Sequence, residues 1–189
     1  MRYSLERITL SRLGNTSHII TVSDRYFRAS LASDLERETG LPVAPLLQLD
    51  GMAVGEGGEK RVNQIQVLGV DDRFDGVTGG EVARQLEGDG VIVSENLARQ
   101  LGVNTGDAIL VRIAKATLMP RNTPFVSENE TTVTLRATIR EVAGRDRMGL
   151  FNMRNSQRAP YNLFVSLERL NRLMEFENRA NRLLIAGDA

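Results

Sequence analysis

Residues 91–111 read Val91-Ile-Val-Ser-Glu-Asn-Leu-Ala-Arg-Gln-Leu-Gly-Val-Asn-Thr-Gly-Asp-Ala-Ile-Leu-Val111. Five local signals follow one another from this stretch onward. Val91, Ile92 and Val93 are β-branched and uncharged, which suits a short buried strand. Ser94 stands at an N-cap position, with Glu95 in the first turn where a carboxylate complements the positive end of a helix. Leu97 and Leu101 share one helical face, and Gly102 supplies the stop. Asn104, Thr105, Gly106 and Asp107 are turn residues. Ala108 to Ile113 then alternates, with Ile109, Val111 and Ile113 on one side. The stretch therefore predicts strand, short helix, tight turn, strand.

The same reasoning extends outward. Leu5, Ile8 and Leu13 predict a helix over 3–13, stopped by Gly14 and Asn15. Ile19 to Val22, preceded by His18, reads as a buried strand. Ser23 and Asp24 offer an N-cap for a helix carrying Phe27, Leu31 and Leu35, closed by Gly40 and Pro42. Val43 to Val54 is extended and apolar, and Gly51, Gly55, Gly57 and Gly58 mark a hairpin or loop. Val62 to Val70 is a strand, with Ile65 and Val67 on one face and Leu68 and Val70 on the other. Asp71 to Gly80 reads as a polar turn. Lys115 to Glu130, with Pro120 and Pro124, is a long loop. Thr131 to Val142 is an amphipathic strand whose Val133, Leu135, Ala137 and Ile139 face inward. Ala143 to Pro160 is irregular. Tyr161 to Val165 is a strand, Ser166 opens a helix bearing Leu167, Leu170, Leu173 and Met174, and Arg182 to Ala186 is a last strand. Irregularly interleaved helices and strands place the chain in the α+β class, as a mixed sheet with packed helices.

The chain has 189 residues, 24 basic and 24 acidic, with zero formal net charge and no cysteine. Zero net charge lacks the basic surplus of a nucleic-acid binder. Absence of cysteine removes disulfides, thiol catalysis and cysteine-based metal sites. No uncharged stretch approaches the roughly 18 apolar residues of a membrane span, and the charged N-terminus is no signal-peptide core. Only Lys60 and Lys115 are lysine, so 22 of the basic residues are arginine. Arginine suits planar carboxylate pairs and polar interfaces.

The chemical inventory is thin. His18 is the only histidine and has no marked partner for general-base work. Gly55 to Lys60 reads Gly-Glu-Gly-Gly-Glu-Lys and then Arg61, without the spacing or hydroxyl of a phosphate-binding loop. Asp71, Asp75 and Gly76 match three positions of a calcium loop, but Arg73 and Val82 occupy two ligand positions. No catalytic residue, metal ligand or cofactor site is expected.

Three segments resemble the MacB-like periplasmic core domain of FtsX-like ABC transporter permeases. Val91 to Val111 is similar to that family's strand, its helix x-x-L-A-x-x-L-G-V and its x-x-G-D-x-I-x-V turn and strand. Leu135 to Gly144 resembles the strand that follows. Tyr161 to Leu170 resembles an asparagine-containing strand leading into a helix, with Ser166 where proline is usual. The resemblance implies a single non-catalytic extracytoplasmic domain over 1–189. Its lobes would be 1–50 with 150–189 (porter-like βαβ) and an inserted, β-rich 51–149. Membrane helices outside this chain would flank it, and its two ends would lie together facing the bilayer. The implied partners are a second permease copy, a cytoplasmic ATPase reached through the membrane helices, and a periplasmic or lipoprotein partner, with no nucleic acid. The implied function is relay of ATP-driven motion. Met148, Leu150, Phe151 and Met153 are the candidate partner surface, because exposed apolar clusters mark contacts; the competing reading folds them back as a core plug. Two other readings stand beside this one. A small-molecule or cofactor-binding β-barrel would carry a pocket beside Gly102 to Asp107, and a hydrolase would place His18 by a Ser or Asp in a cleft.

Overall fold

The structure is a computed structural model that describes residues 12–22, 25–55, 57–86, 88–115, 132–153 and 159–187. The expected helix over 3–13 and the loop over 115–130 lie almost wholly outside the described residues, as do Ser23 and Asp24. The strands are β1 (Thr16–Thr21), β2 (Phe27–Arg28), β3 (Val43–Gly55), β4 (Arg61–Val70), β5 (Gly90–Ser94), β6 (Ala108–Ala114), β7 (Thr132–Ala143), β8 (Asn162–Ser166), β9 (Arg179–Ala180) and β10 (Arg182–Ala186). The helices are α1 (Leu31–Thr39), α2 (Arg73–Thr78), α3 (Glu95–Leu101) and α4 (Leu167–Leu173). The fold is α+β, as the alternation of patterns predicts.

Eight strands form one mixed sheet in the order β1-β10-β3-β4-β8-β5-β7-β6, and β6 also pairs with β3. That extra pairing closes β3, β4, β8, β5, β7 and β6 into a six-stranded barrel. β3 makes this possible through its thirteen-residue length. Its first half pairs with β10, from Val43 opposite Ile185 to Leu46 opposite Arg182. Its second half pairs with β6, from Gly51 opposite Ile113 to Gly55 opposite Ile109. A register shift between Gly51 and Ala53 bends the strand where its partner changes. β3 runs through the expected lobe boundary at residues 50 and 51 without a break, so one sheet serves both regions.

Alternation sorts the side chains. Leu47, Ala53, Ile65, Val67, Val91, Val93, Ile109, Val111, Ile113, Leu135, Ile139, Leu163 and Val165 meet inside the barrel, with Leu97, Leu101, Leu167 and Leu170 from α3 and α4 packed on the same cluster. Leu46, Leu68, Val70, Ile92 and Phe164 point the other way, into a second cluster with Phe74 and Val77 of α2. The two faces expected of residues 62–70 are therefore both buried, in different cores.

Three sequence expectations fail for tertiary reasons. β1 is the sheet's last strand, with one neighbour, so it is mostly exposed and Ile20 is 42% accessible. Phe27 does not sit on a helix; it pairs with Ala180 in the small β2–β9 ladder. Asp71 to Gly80 contains helix α2, because Phe74 and Val77 supply enough buried surface to hold one and a half turns against the sheet. Ser94 does stand at the start of α3, but its hydroxyl makes no capping bond and instead accepts the Asn162 N–H at 3.0 Å.

Asn181 shows how the sheet survives a strand break. The β10 ladder to β3 begins only at Arg182, because β9, just before it, pairs with β2. The Asn181 side chain replaces the missing peptide: its Oδ1 accepts the Gln48 N–H at 2.8 Å and its Nδ2 donates to the Gln48 carbonyl at 2.8 Å. Asn171 does the same for Arg179, accepting its N–H at 2.6 Å and donating to its carbonyl at 3.0 Å. Replacing Asn181 by Leu leaves two buried backbone groups of Gln48 unpaired. That substitution is expected to cost about 2 kcal/mol or more, at one to three per orphaned group, read as a lowered urea midpoint with an unchanged slope.

Candidate functional site

The strand that brings the chain in and the strand that takes it out are neighbours. β1 and β10 run antiparallel from Thr16 opposite Ala186 to Thr21 opposite Arg182. Thr16 and Ala186 thus share one end of the sheet, as the resemblance implies for a domain rooted by both ends.

This root is tied to the second core by the segment before β1. The Asn15 N–H donates to the Thr78 carbonyl at 3.1 Å, and the Asn152 N–H donates to the Arg12 carbonyl at 3.1 Å. Gly14 sits between them with φ of 58°, and a Cβ there would overlap the Thr78 carbonyl oxygen. Leu13 packs on the second core beside these bonds. Helix α2 is in turn held by Asp75, whose 4% exposed carboxylate accepts the N–H groups of Val82, Ala83 and Arg84 at 2.8, 3.0 and 3.1 Å. These bonds commit Asp75 to the backbone. Asp71 is committed likewise, to the Arg73 guanidinium at 2.7 and 3.0 Å. The two carboxylates that resembled a calcium loop are structural.

The segment 148–153 divides. Phe151 is fully buried and Met148 nearly so, both in the second core. Phe151 meets Phe74 edge-on at 5.3 Å, and Phe74 lies 6.0 Å from Phe164. Asn162 fixes the segment by donating its Nδ2 to the carbonyls of Gly149 and Phe151 at 3.1 and 2.8 Å. Leu150 and Met153 are only half-buried. Met148 and Phe151 therefore offer no exposed surface, because the sheet's second face needs them as its cover. Asn171 and Asn181 went unmarked in the sequence, and Asp75 was marked only as a possible calcium-loop position. Their one signal was a polar residue inside or beside an otherwise apolar run.

The remaining candidates have ordinary roles. His18 is exposed on β1, with its Nδ1 3.0 Å from the Ser17 hydroxyl. That hydroxyl also lies 3.1 Å from the Ile185 carbonyl, to which it can donate, so it serves the β1–β10 ladder. Gly57 and Gly58 turn the β3–β4 hairpin with φ of 91° and 78°. The turn beside Gly102 is spliced into β7: Gly106 N–H donates to the Ile139 carbonyl and the Ile139 N–H to the Asp107 carbonyl, at 2.8 and 2.9 Å. A depression of about 240 Å³ lies elsewhere, at the ends of β4 and β8, lined by Val70, Asp71, Asp72, Ser166, Leu167 and Glu168. Glu141 accepts a hydrogen bond from the exposed Arg147 guanidinium, and this contact raises the pKa of Arg147 above the usual arginine value.

No protein-family model matches the chain, and no curated protein matches it in sequence. Solved structures do match in fold. The periplasmic region of MacB from Actinobacillus actinomycetemcomitans superimposes with a TM-score of 0.55 at 12% identity, over 94% of this chain and 77% of that one. The extracellular domain of YknZ, a noncanonic ABC-type transporter from Gram-positive bacteria, gives 0.50 at 10% identity, over 87% of this chain and 74% of that one. The fold is that of extracytoplasmic ABC transporter permease domains. No enzyme family is indicated. No helix among the described residues is long and apolar enough to cross a membrane.

Two substitutions separate cover from surface in residues 148–153. Phe151→Ala is expected to lose about 3–5 kcal/mol, the range for a buried aromatic, while Leu150→Ala loses less than about 1 kcal/mol; chemical denaturation checks both. Gly14→Ala is expected to detach the root from α2, because alanine there carries a left-handed backbone penalty of about 1–2 kcal/mol as well as the overlap. Hydrogen exchange should show faster exchange at the Asn15 amide while the barrel amide of Val111 keeps its protection.

Proposed function

We propose that this chain is the non-catalytic extracytoplasmic domain of an ABC transporter permease, and that it relays ATP-driven motion to partners or cargo outside the membrane. The observation that carries the reading is the β1–β10 pairing, with Thr16 opposite Ala186. A domain held by two adjacent antiparallel strands moves as one body with whatever those strands are attached to. Helix motion at the membrane then reaches the barrel without a hinge, because β10 pairs with β3 and β3 pairs with β6. Rigid-body displacement of this kind is a recognised route from a binding event to a distant surface. It requires packed elements and contact surfaces, and no nucleophile or cofactor.

On this reading, membrane helices outside the chain flank it. A cytoplasmic ATPase drives those helices. A second permease copy and a periplasmic or lipoprotein partner meet the domain on the outer side. The packed barrel interior favours this reading over a cofactor-binding barrel, since the inward side chains of all six strands fill it.

These 189 residues contain no cysteine, so a single cysteine introduced here is the only one in the domain. In intact spheroplasts expressing the full-length product, Arg61→Cys is expected to react with a membrane-impermeant maleimide. Labelling only after lysis would overturn the location. For the relay, spin labels at position 61 of paired copies are expected to change separation when the ATPase is trapped with ATP and vanadate. An unchanged distance distribution would leave the domain a passive attachment and overturn that half of the proposal.

A further inference from the structure

The large sheet has one open margin. Pairing of β6 with β3 closes the barrel side, so among the described residues β1 is the one strand of the eight with a single neighbour. Three contacts fix the direction of its peptide groups. The Ile185 carbonyl points toward β1, where the Ser17 hydroxyl lies 3.1 Å away, and the Ala186 N–H points the opposite way, to the Pro42 carbonyl at 3.1 Å. Ile185 stands opposite His18, so His18 turns its peptide groups toward β10. The Val22 carbonyl faces the same side, accepting from the Arg182 guanidinium at 3.3 Å. Peptide groups alternate in direction along an antiparallel strand. The N–H and C=O groups of Ile19 and Thr21 therefore point outward, where no strand meets them.

Edges of this kind are usually blunted by lysine, proline or an inward-pointing charge. β1 carries none of these from Thr16 to Thr21. Ile20 is instead one of two exposed large apolar side chains among the described residues. It stands opposite Leu183, which is buried with Ala32 in the small cluster under α1. That cover stops one strand short of the margin and leaves Ile20 bare. The register shift between Thr16 and His18 makes Ile19 to Thr21 the regular part of the edge.

We propose that this margin docks one extended strand of a partner protein, adding a ninth strand to the sheet. In this mode main-chain bonds give affinity and alternate side chains give specificity. The peptide groups of Ile19 and Thr21 pair with the incoming strand. An apolar residue of that strand lies opposite Ile20, with Cβ atoms about 4.5–5.5 Å apart. Only a polypeptide offers donors and acceptors at the spacing of a ladder, which sets aside a lipid layer and a nucleic acid. Direction sets aside a second copy of the chain. Two β1 edges paired antiparallel would point their roots, Thr16 and Ala186, in opposite directions. On the transport reading both roots face one membrane, so the choice of a different protein rests on that reading, while the open edge does not.

The test titrates the peptide Lys-Thr-Thr-Val-Thr-Thr-Lys into the chain and follows backbone amides by NMR. At saturation the Ile19 and Thr21 amides are expected to shift and to exchange their hydrogens more slowly. The His18 and Ile20 amides, already in the β10 ladder, keep their rates. N-methylation of the two threonines that flank the valine removes the bonding donors and is expected to weaken binding about tenfold, whereas N-methylation of the valine, whose N–H points away, changes it less than about twofold. Ile20→Ser is expected to weaken binding with an unchanged circular dichroism spectrum; the N-methyl comparison uses the unaltered chain and decides the matter if that variant fails to fold. Absence of protection at Ile19 and Thr21, or equal binding by the two N-methylated peptides, overturns the proposal and leaves the transport reading intact. A dimer of the chain alone that protects the same two amides also overturns it, and counts against roots that face one membrane.

Discussion

The backbone hydrogen bonds of β3 hold the molecule together. This strand spans about 40 Å at a strand's usual rise, and it is the sole member of both the edge ladder and the barrel. At its first residues it grips β10, through which the chain leaves. Along its length it pairs with β4, and at its far end it closes the barrel against β6. Sheet hydrogen bonds are individually modest but sum along a ladder, which makes β3 a stiff element. Chemistry is not required of such an element; stiffness is.

The sequence was legible where a local pattern and the tertiary demand coincide. Residues 91–111 fold as read because Val91, Val93, Leu97, Leu101, Val103, Ile109 and Val111 are also core positions. Residues 62–70 show two apolar faces and duly separate two cores. The reading failed where a distant partner decided the outcome. Phe27 fits a helical period with Leu31 and Leu35, yet Ala180, distant in sequence, claims it for a strand. Ser94 fits an N-cap, yet the strand beside it takes its hydroxyl. Ile19 and Ile20 look buried, but only a neighbour on the second side could have buried them.

The candidate site was legible in outline only. A root with both ends together came from resemblance, and β1 beside β10 agrees with it. The apolar run at 148–153 was visible as a cluster, but a one-dimensional pattern cannot tell a patch from a plug. Phe151 became a plug because Phe74 and Phe164 left an aromatic-sized space above the sheet. Asn162 then locked it with two hydrogen bonds that no spacing rule announces.

The irregularity in β1 between Thr16 and His18 has a protective consequence. Thr-Ser-His-Ile-Ile-Thr is a charge-free, β-branched hexamer at the margin of a large sheet, the kind of margin on which stray strands nucleate fibrils. A shifted register twists the margin and spoils the flat template that a fibril needs. The sheet thereby keeps an uncovered border without offering it as a template for growth.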